Sequence, residues 1–307
     1  MKILITGATG LIGKEVVKAC RNKNIAINYL TTSREKIEDK EGVKGFFWNP
    51  NAGVIDSNCF SNVTTIIHLA GASIAKRWTP SYKQKIVESR TLSTSLLFNS
   101  LKKLSNHSVK HVIAASAIGV YPTSLTAYYN ENDNEIDDSF LGEVVEKWEK
   151  SVDNFEMLGI PVTKIRTGLV LTSKGGMLEP LVKTVKYYMG APLASGKQWQ
   201  SWIHLEDMVN IYLHVMEHKC FGVFNAVAPN PVTNEKMTKE IGVIMDKPVW
   251  PFHVPKFMLK LVLGEMSYLL YASQRVDSKK IEAQDFTFKY PQLKPALKNL
   301  LIHKSIF

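Results

Sequence analysis

Residues 5–16 read ITGATGLIGKEV. An apolar run, KILIT at 2–6, leads into Gly7, Gly10 and Gly13, and a helix-forming stretch follows over 11–21. Three glycines at this spacing have separate physical uses. They permit a tight turn, a close approach of backbone to a pyrophosphate, and close packing of the helix on the strand. The helix N-terminus then favours the anion. The stretch predicts a dinucleotide-binding turn at the start of a parallel sheet.

Working outward, β-rich runs recur as AINYLTT (26–32), KGFFW (44–48), TTIIHLA (64–70), HVIAASA (111–117) and VTKIRTGLVL (162–171). Helices are expected over 80–104 and 140–158, each long enough for a crossover. Right-handed crossovers give an α/β fold, a Rossmann-type doubly wound parallel sheet with ligands at the carboxyl ends of its strands. After residue 171 the rhythm changes to a Gly/Pro-containing region. The expected division is a dinucleotide-binding domain over 1–170 plus 205–229 and a smaller, partly inserted C-terminal substrate lobe over 171–204 plus 230–307.

The second strand ends in LTTSREK (30–36). An acidic residue there would bind the adenosine ribose hydroxyls of NAD and repel a 2′-phosphate. Ser33 and Arg34 instead offer a hydroxyl and a planar cation that suit the 2′-phosphate of NADP.

The chain has 307 residues, 45% hydrophobic and 21% charged, enough to bury a large core. Its net charge of +10 favours anionic partners, from nucleotides to membrane surfaces. The lysines and arginines are scattered, so no nucleic-acid partner is expected. Cys20, Cys59 and Cys220 lack the spacing of a metal site, so no metal is expected and a reduced, cytoplasmic protein is the simplest reading. No secretory signal or membrane span is evident, and no membrane partner is expected. The most apolar late stretch, FMLKLVLGEMSYLLYA (257–272), is interrupted by Lys260 and Glu265 and reads as an amphipathic or a buried helix.

TGATGLIG (6–13), IIHLAGASI (66–74) and AASAIGVYP (114–122) together resemble the extended short-chain dehydrogenase/reductases. RWTPSYKQKIVESRTLST (77–94), QWQSWIHLEDM (198–208), NAVAPNPVTN (225–234) and LGEMSYLLYASQRV (263–276) narrow the resemblance to a subgroup called epimerase family proteins, which have a distinctive C-terminal domain. The resemblance covers nearly the whole chain. It implies that Gly7, Thr9, Gly10, Leu11, Ile12 and Gly13 hold the pyrophosphate of NADP. Leu69, Ala70 and Gly71 would line the cofactor, and Thr167, Gly168 and Leu169 would lie near the nicotinamide. His68 reads better as a satisfied core histidine than as a catalytic one.

The superfamily's proton donor is a tyrosine four residues before a lysine on one helix. Here the helix is SFLGEVVEKWE (139–149), and registering Trp148-Glu149 on the motif's usual ending puts Leu141 and Val145 at the two positions. Neither carries a proton. Ser116, Tyr121 and His204, with Tyr128 behind them, are the candidate replacements, each with a structural use open to it as well. Arg77, Lys85 and Arg90 are candidate anion contacts, and Trp199 and Trp202 either line a cleft or pack the lobes together. Two functions stay open: an NADP(H)-dependent oxidoreductase or epimerase-like enzyme with a non-standard proton donor, or a non-catalytic NADP(H)-binding, redox-sensing module acting through a protein partner.

Overall fold

The computed structural model describes residues 1–104 and 106–302. The chain alternates strand and helix as the sequence pattern requires: β1 (Lys2–Thr6), α1 (Leu11–Asn22), β2 (Ala26–Thr31), β3 (Val43–Asn49), β4 (Thr65–His68), α2 (Pro80–Lys103), β5 (His111–Ala117), α3 (Phe140–Asp153) and β6 (Val162–Thr167). A short β7 (Leu169–Leu171) and α4 (Leu178–Lys186) follow, then β8 (Trp202–His204), α5 (Leu205–Glu217) and β9 (Gly222–Ala226). Beyond β9 the longer elements are helices, α6 (Asn234–Met245), α7 (Lys256–Leu263) and α8 (Leu293–Leu301), with a two-residue strand at Val232–Thr233 paired to Trp199–Gln200.

The central sheet runs β9-β6-β5-β4-β1-β2-β3, and these strands are all parallel. Two-residue antiparallel strands at Asp39–Lys40 and Val54–Ile55 add to β3 at one edge. β1 lies at the centre, flanked by β2 and β4, so strand order reverses beside it. That is the switch point where such sheets bind ligands.

Both faces of the sheet are covered, which accounts for strands that read as continuous apolar runs. On one face α1 and α5 pack over Ile3, Ile5, Ile27, Ile67 and Ile113; on the other α2 and α3 cover Leu4, Leu30, Ile66 and Val112. A third cluster joins Leu171, Leu178, Val182 and Trp202 to Met237, Ile241, Leu297 and Leu300. It draws on segments either side of α5 and β9, which themselves belong to the sheet layer.

The run VTKIRTGLVL divides at Gly168. A Cβ there would stand 2.4 Å from the Ser201 carbonyl oxygen and 2.7 Å from Val227 Cγ1. The chain leaves the sheet at this point and β7 pairs with β8 instead. Among the described residues no helix is long and apolar enough to cross a membrane, and no group of His, Cys, Asp or Glu is arranged to hold a metal ion.

Candidate cofactor-binding and active site

The turn after β1 is built from three different constraints. Gly7 is left-handed, at φ +68°, and a Cβ on it would meet the Leu69 carbonyl carbon and oxygen at 2.8 Å. Gly10 closes the turn through its N–H to the Gly7 carbonyl (2.9 Å) and is the N-cap of α1. Gly13 is buried in the helix, where a Cβ would stand 2.1 Å from the Gly7 oxygen. No side chain caps α1, and its first turn has no acidic residue, so its N-terminal N–H groups and positive dipole end suit an anion. Thr9 and Gly10 are exposed at this end, with Leu11 and Ile12 half-buried beside them. These residues fit a pyrophosphate.

The neighbouring wall is the carboxyl end of β4. Thr6 Oγ1 accepts from the N–H groups of Leu69 and Ala70, both at 3.1 Å, so its proton goes to His68 Nδ1 at 2.7 Å. The His68 Nε2–H is then left to donate to Thr94 Oγ1 at 3.1 Å on α2. His68 is fully buried, and burial and then the Arg90 charge push its pKa down to about 4, so it is a neutral link between β1, β4 and α2. Gly71 lies over Arg90, whose Cζ would be 3.2 Å from a Cβ. Arg90 itself is buried, donating to the Ile86 and Ala72 carbonyls and lying 4.9 Å from the Trp148 ring. It braces the loop after β4, whereas Arg77 and Lys85 are exposed.

At the end of β2, the Ser33 N–H donates to Thr31 Oγ1, and the guanidinium of exposed Arg34 lies 4.2 Å over the Phe47 ring on β3. Stacking holds the planar cation on the edge of the sheet next to the glycine turn. Thr167, Gly168 and Leu169 stand where β6 leaves the sheet, with the Gly168 N–H on the Ala226 carbonyl and the Leu169 N–H on the Ser201 carbonyl.

The expected helix forms as α3, capped by Ser139 through the Leu141 N–H (3.2 Å). Val145 is buried in a cluster with Val120, Tyr121 and Tyr129; Leu141 packs against the cluster of Trp78, Ile86 and Val144, as do Met266 and Tyr268. Behind them lies a buried polar chain. Arg166 grips Glu149 through Nε (2.9 Å) and Nη2 (3.0 Å), Ser116 Oγ donates to the same carboxylate at 2.5 Å, and Arg166 Nη1 donates to the Tyr121 hydroxyl at 3.0 Å. Tyr121 in turn donates to Asn225 Oδ1 at 2.9 Å. Burial works against the Glu149 charge, but its bonds to Arg166 and Ser116 outweigh that and hold the carboxyl below its ordinary range. Burial pushes Tyr121 up to about 12 despite Arg166.

The candidate proton donors are therefore not brought together around one reacting position. Ser116 and Tyr121 belong to this internal chain, and Tyr121 is wholly buried. His204 caps α5, its Nδ1 accepting from the Glu206 N–H at 3.1 Å, with its ring 4.0 Å from that of Tyr290. Each is placed to join elements. Tyr128 is exposed under Arg275, which also covers Trp199; Trp202 is fully buried in the third cluster.

The structure supplies a tyrosine that sequence reasoning missed. Tyr268, half-buried in the same cluster as Leu141, donates to the Asp137 carboxylate at 3.1–3.2 Å. Asp137 is buried and also accepts the N–H groups of Thr123 and Ser139. Burial, with the Asp137 charge, pushes Tyr268 up to about 12 and keeps it protonated. Its only sequence signal was membership of the subgroup stretch at 263–276, because the 131 residues separating it from Asp137 conceal the pairing.

Comparison with known proteins agrees with this architecture. Residues 3–139 match the family model described as the NAD dependent epimerase/dehydratase family, and residues 254–300 match a domain of unknown function, DUF1731. An Epimerase family protein of Staphylococcus aureus (strain MRSA252) is 35% identical over 97% of this chain and 98% of its own. One from Staphylococcus haemolyticus (strain JCSC1435) is 34% identical over 98% and 99%. The human epimerase family protein SDR39U1 (isoform 2), solved with NADPH, superposes with a TM-score of 0.84 at 24% identity, covering 98% of this chain and 99% of that one. A nucleoside-diphosphate sugar epimerase from Corynebacterium glutamicum gives 0.78 at 28% identity, covering all of this chain and 59% of the other. With the Rossmann-type sheet, the glycine turn and relatives matched from end to end, the chain belongs to the epimerase family proteins, NAD(P)-binding members of the short-chain dehydrogenase/reductase superfamily.

Proposed function

We propose that this protein binds NADP(H) in preference to NAD(H) and is an oxidoreductase for a small-molecule substrate, with Tyr268 as its proton donor. The observation that carries the cofactor preference is Arg34, stacked on Phe47 beside the glycine turn, where no carboxylate reads the ribose. Gly7, Thr9, Gly10, Leu11, Ile12 and Gly13 would hold the pyrophosphate, Ser33 and Arg34 the 2′-phosphate. Leu69, Ala70 and Gly71 would line the adjoining wall, with Thr167, Gly168 and Leu169 at the nicotinamide end. The bound cofactor supplies hydride chemistry. What the chain must add is orientation and a proton. Tyr268 supports the second role because it is protonated, only half-buried, and packs against the same cluster of Trp78, Ile86 and Val144 as Leu141, the residue at the superfamily's tyrosine position.

The test is consumption of NADPH across a panel of aldehydes, ketones and enones, with cofactor affinities measured by calorimetry. Tyr268→Phe is expected to lower turnover roughly 10²- to 10⁴-fold while leaving NADPH affinity unchanged. Equal affinity for NADH and NADPH would refute the cofactor assignment, and undiminished turnover in Tyr268→Phe would refute the donor. A second reading, an NADP(H)-binding module without turnover, is favoured by Leu141 and Val145 and by the structural bonds of Ser116 and Tyr121. NADPH binding with no consumption across the panel supports that reading.

A further inference from the structure

A buried polar atom without a partner calls for an explanation, and one such atom stands at the wall of the proposed site. Gln200 is 8% exposed, and its Oε1 is buried with no hydrogen-bond partner among the described residues. Its place on the two-residue strand accounts for the isolation. Opposite it across the antiparallel pair is buried, apolar Val232, and on the other side an isolated parallel bridge sets it beside Gln274. The Gln274 Nε2 donates instead to the Tyr121 carbonyl at 3.3 Å.

Successive side chains of a strand point to opposite sides. Trp199 turns toward exposed Leu125, its indole N–H on that residue's carbonyl (3.0 Å) and its ring under Arg275. Gln200 therefore turns inward, to the side where Gln274 meets Tyr121. That side belongs to the proposed site. Tyr121 closes the turn after β5, and the carbonyl just before it, on Val120, accepts the Asp137 N–H at 2.8 Å; Asp137 in turn holds the Tyr268 hydroxyl. The short helix that carries this tyrosine, Tyr268–Tyr271, is tied to the same stretch of chain, because Gln198 Nε2 donates to the Leu270 carbonyl at 3.1 Å. On the other flank, the Ser201 carbonyl accepts the Leu169 N–H (2.8 Å) and abuts Gly168. Gln200 is thus framed by the segment bearing the proposed proton donor and the segment assigned to the nicotinamide end.

A buried amide oxygen with no donor costs free energy that a ligand's donor recovers on binding. A hydroxyl supplies that donor, whereas an ionised carboxylate brings only lone pairs to meet those of Oε1. We infer that Gln200 contacts the substrate and selects a hydroxyl-bearing aldehyde or ketone, its amide oxygen accepting from that hydroxyl. This rests on the oxidoreductase reading of the site and adds the class of substrate. The hydroxyl held by Gln200 keeps its proton, so the residue serves recognition and takes no part in the chemical step.

The experiment compares the wild type with Gln200→Met, an apolar side chain of similar length. Each aldehyde and ketone of the NADPH-consumption panel is paired with its hydroxylated counterpart, hydroxyacetone with acetone and glycolaldehyde with acetaldehyde among them. The wild type is expected to favour the hydroxylated member in kcat/KM by about 5- to 150-fold, and Gln200→Met to bring that ratio close to one. Without cofactor, Gln200→Met is expected to melt at or above the wild-type temperature, by up to about 6 °C, because an unpaired buried amide gives way to an apolar chain. A ratio near one in the wild type, or a preference that Gln200→Met retains, would overturn the inference and leave the oxidoreductase standing. A lower melting temperature in the variant would overturn it as well, by giving the amide a structural role. NADPH binding with no member of any pair consumed would remove the oxidoreductase reading and this inference with it.

Discussion

The proposed preference for NADPH rests on one side chain, Arg34. A charge-assisted bond to a 2′-phosphate contributes about 1.5–3 kcal/mol, so Arg34→Ala is expected to weaken NADPH binding roughly 10- to 150-fold and leave NADH nearly unaffected, measured by calorimetry. The glycines divide by the space around them. Gly10 is exposed, so Gly10→Val should remain folded while losing the NADPH-dependent rise in melting temperature. Gly13 has the Gly7 oxygen 2.1 Å from its missing Cβ, so Gly13→Ala should lower stability itself, by about 1–3 kcal/mol in urea unfolding. His68 and His111 are buried and pushed down to about 4 from 6.5, His68 also by the Arg90 charge. The unfolded chain holds more protons between those values, so stability is full above about pH 6.5 and falls on acidification toward 4. The expected loss between pH 6.5 and 5 is about 2 kcal/mol per histidine, and a flat stability profile would contradict it. These glycines were legible in the sequence because a backbone need shows directly as a residue type. The bonds of Ser116, Tyr121 and His204 were not, since a polar residue near a strand end does not declare which way it faces. Tyr121 finds Asn225 across 104 positions.

The element that carries the clearest functional statement is α3. Its amphipathic face and the absence of a tyrosine-lysine pair could be read from SFLGEVVEKWE. The use of Glu149 could not, because its partners Ser116 and Arg166 lie on β5 and β6 and meet it only once the sheet forms. Removing one partner of a buried ion pair strands the other, so Glu149→Ala should destabilise by about 3–5 kcal/mol in denaturant unfolding. Leu141→Ala, by contrast, should leave cofactor affinity nearly intact. On the registration that puts Leu141 and Val145 at the proton-transfer positions, epimerisation of common nucleotide sugars, followed by NMR with cofactor present, is expected to be negligible. Robust epimerisation would show that another pair serves. The continuous run expected over 162–171 breaks at Gly168 for a reason residing in Ser201 and Val227, which local pattern does not contain.

At the scale of the whole molecule, the alternating pattern made the doubly wound sheet readable, but not the way later segments fasten to it. Asp207 on α5 is buried, and its carboxylate accepts the backbone N–H groups of Lys289 and Tyr290, both at 2.9 Å. Asp207→Ala should therefore leave the sheet formed but raise the rate of limited proteolysis around residues 284–292, read by mass spectrometry of the fragments. Immediately beyond this clasp, α8 contributes Leu293, Leu297 and Leu300 to the cluster shared with α4 and α6. The clasp spans more than 80 positions of chain. On a ribosome, α4, Trp202 and α6 emerge with their apolar faces lacking the helix that covers them, and they stay so until residues 289–301 have been translated. Completion of this lobe thus waits for residues 289–301, and a nascent chain stalled before them would expose a half-built core to chaperones and proteases even when its glycine turn is already in place.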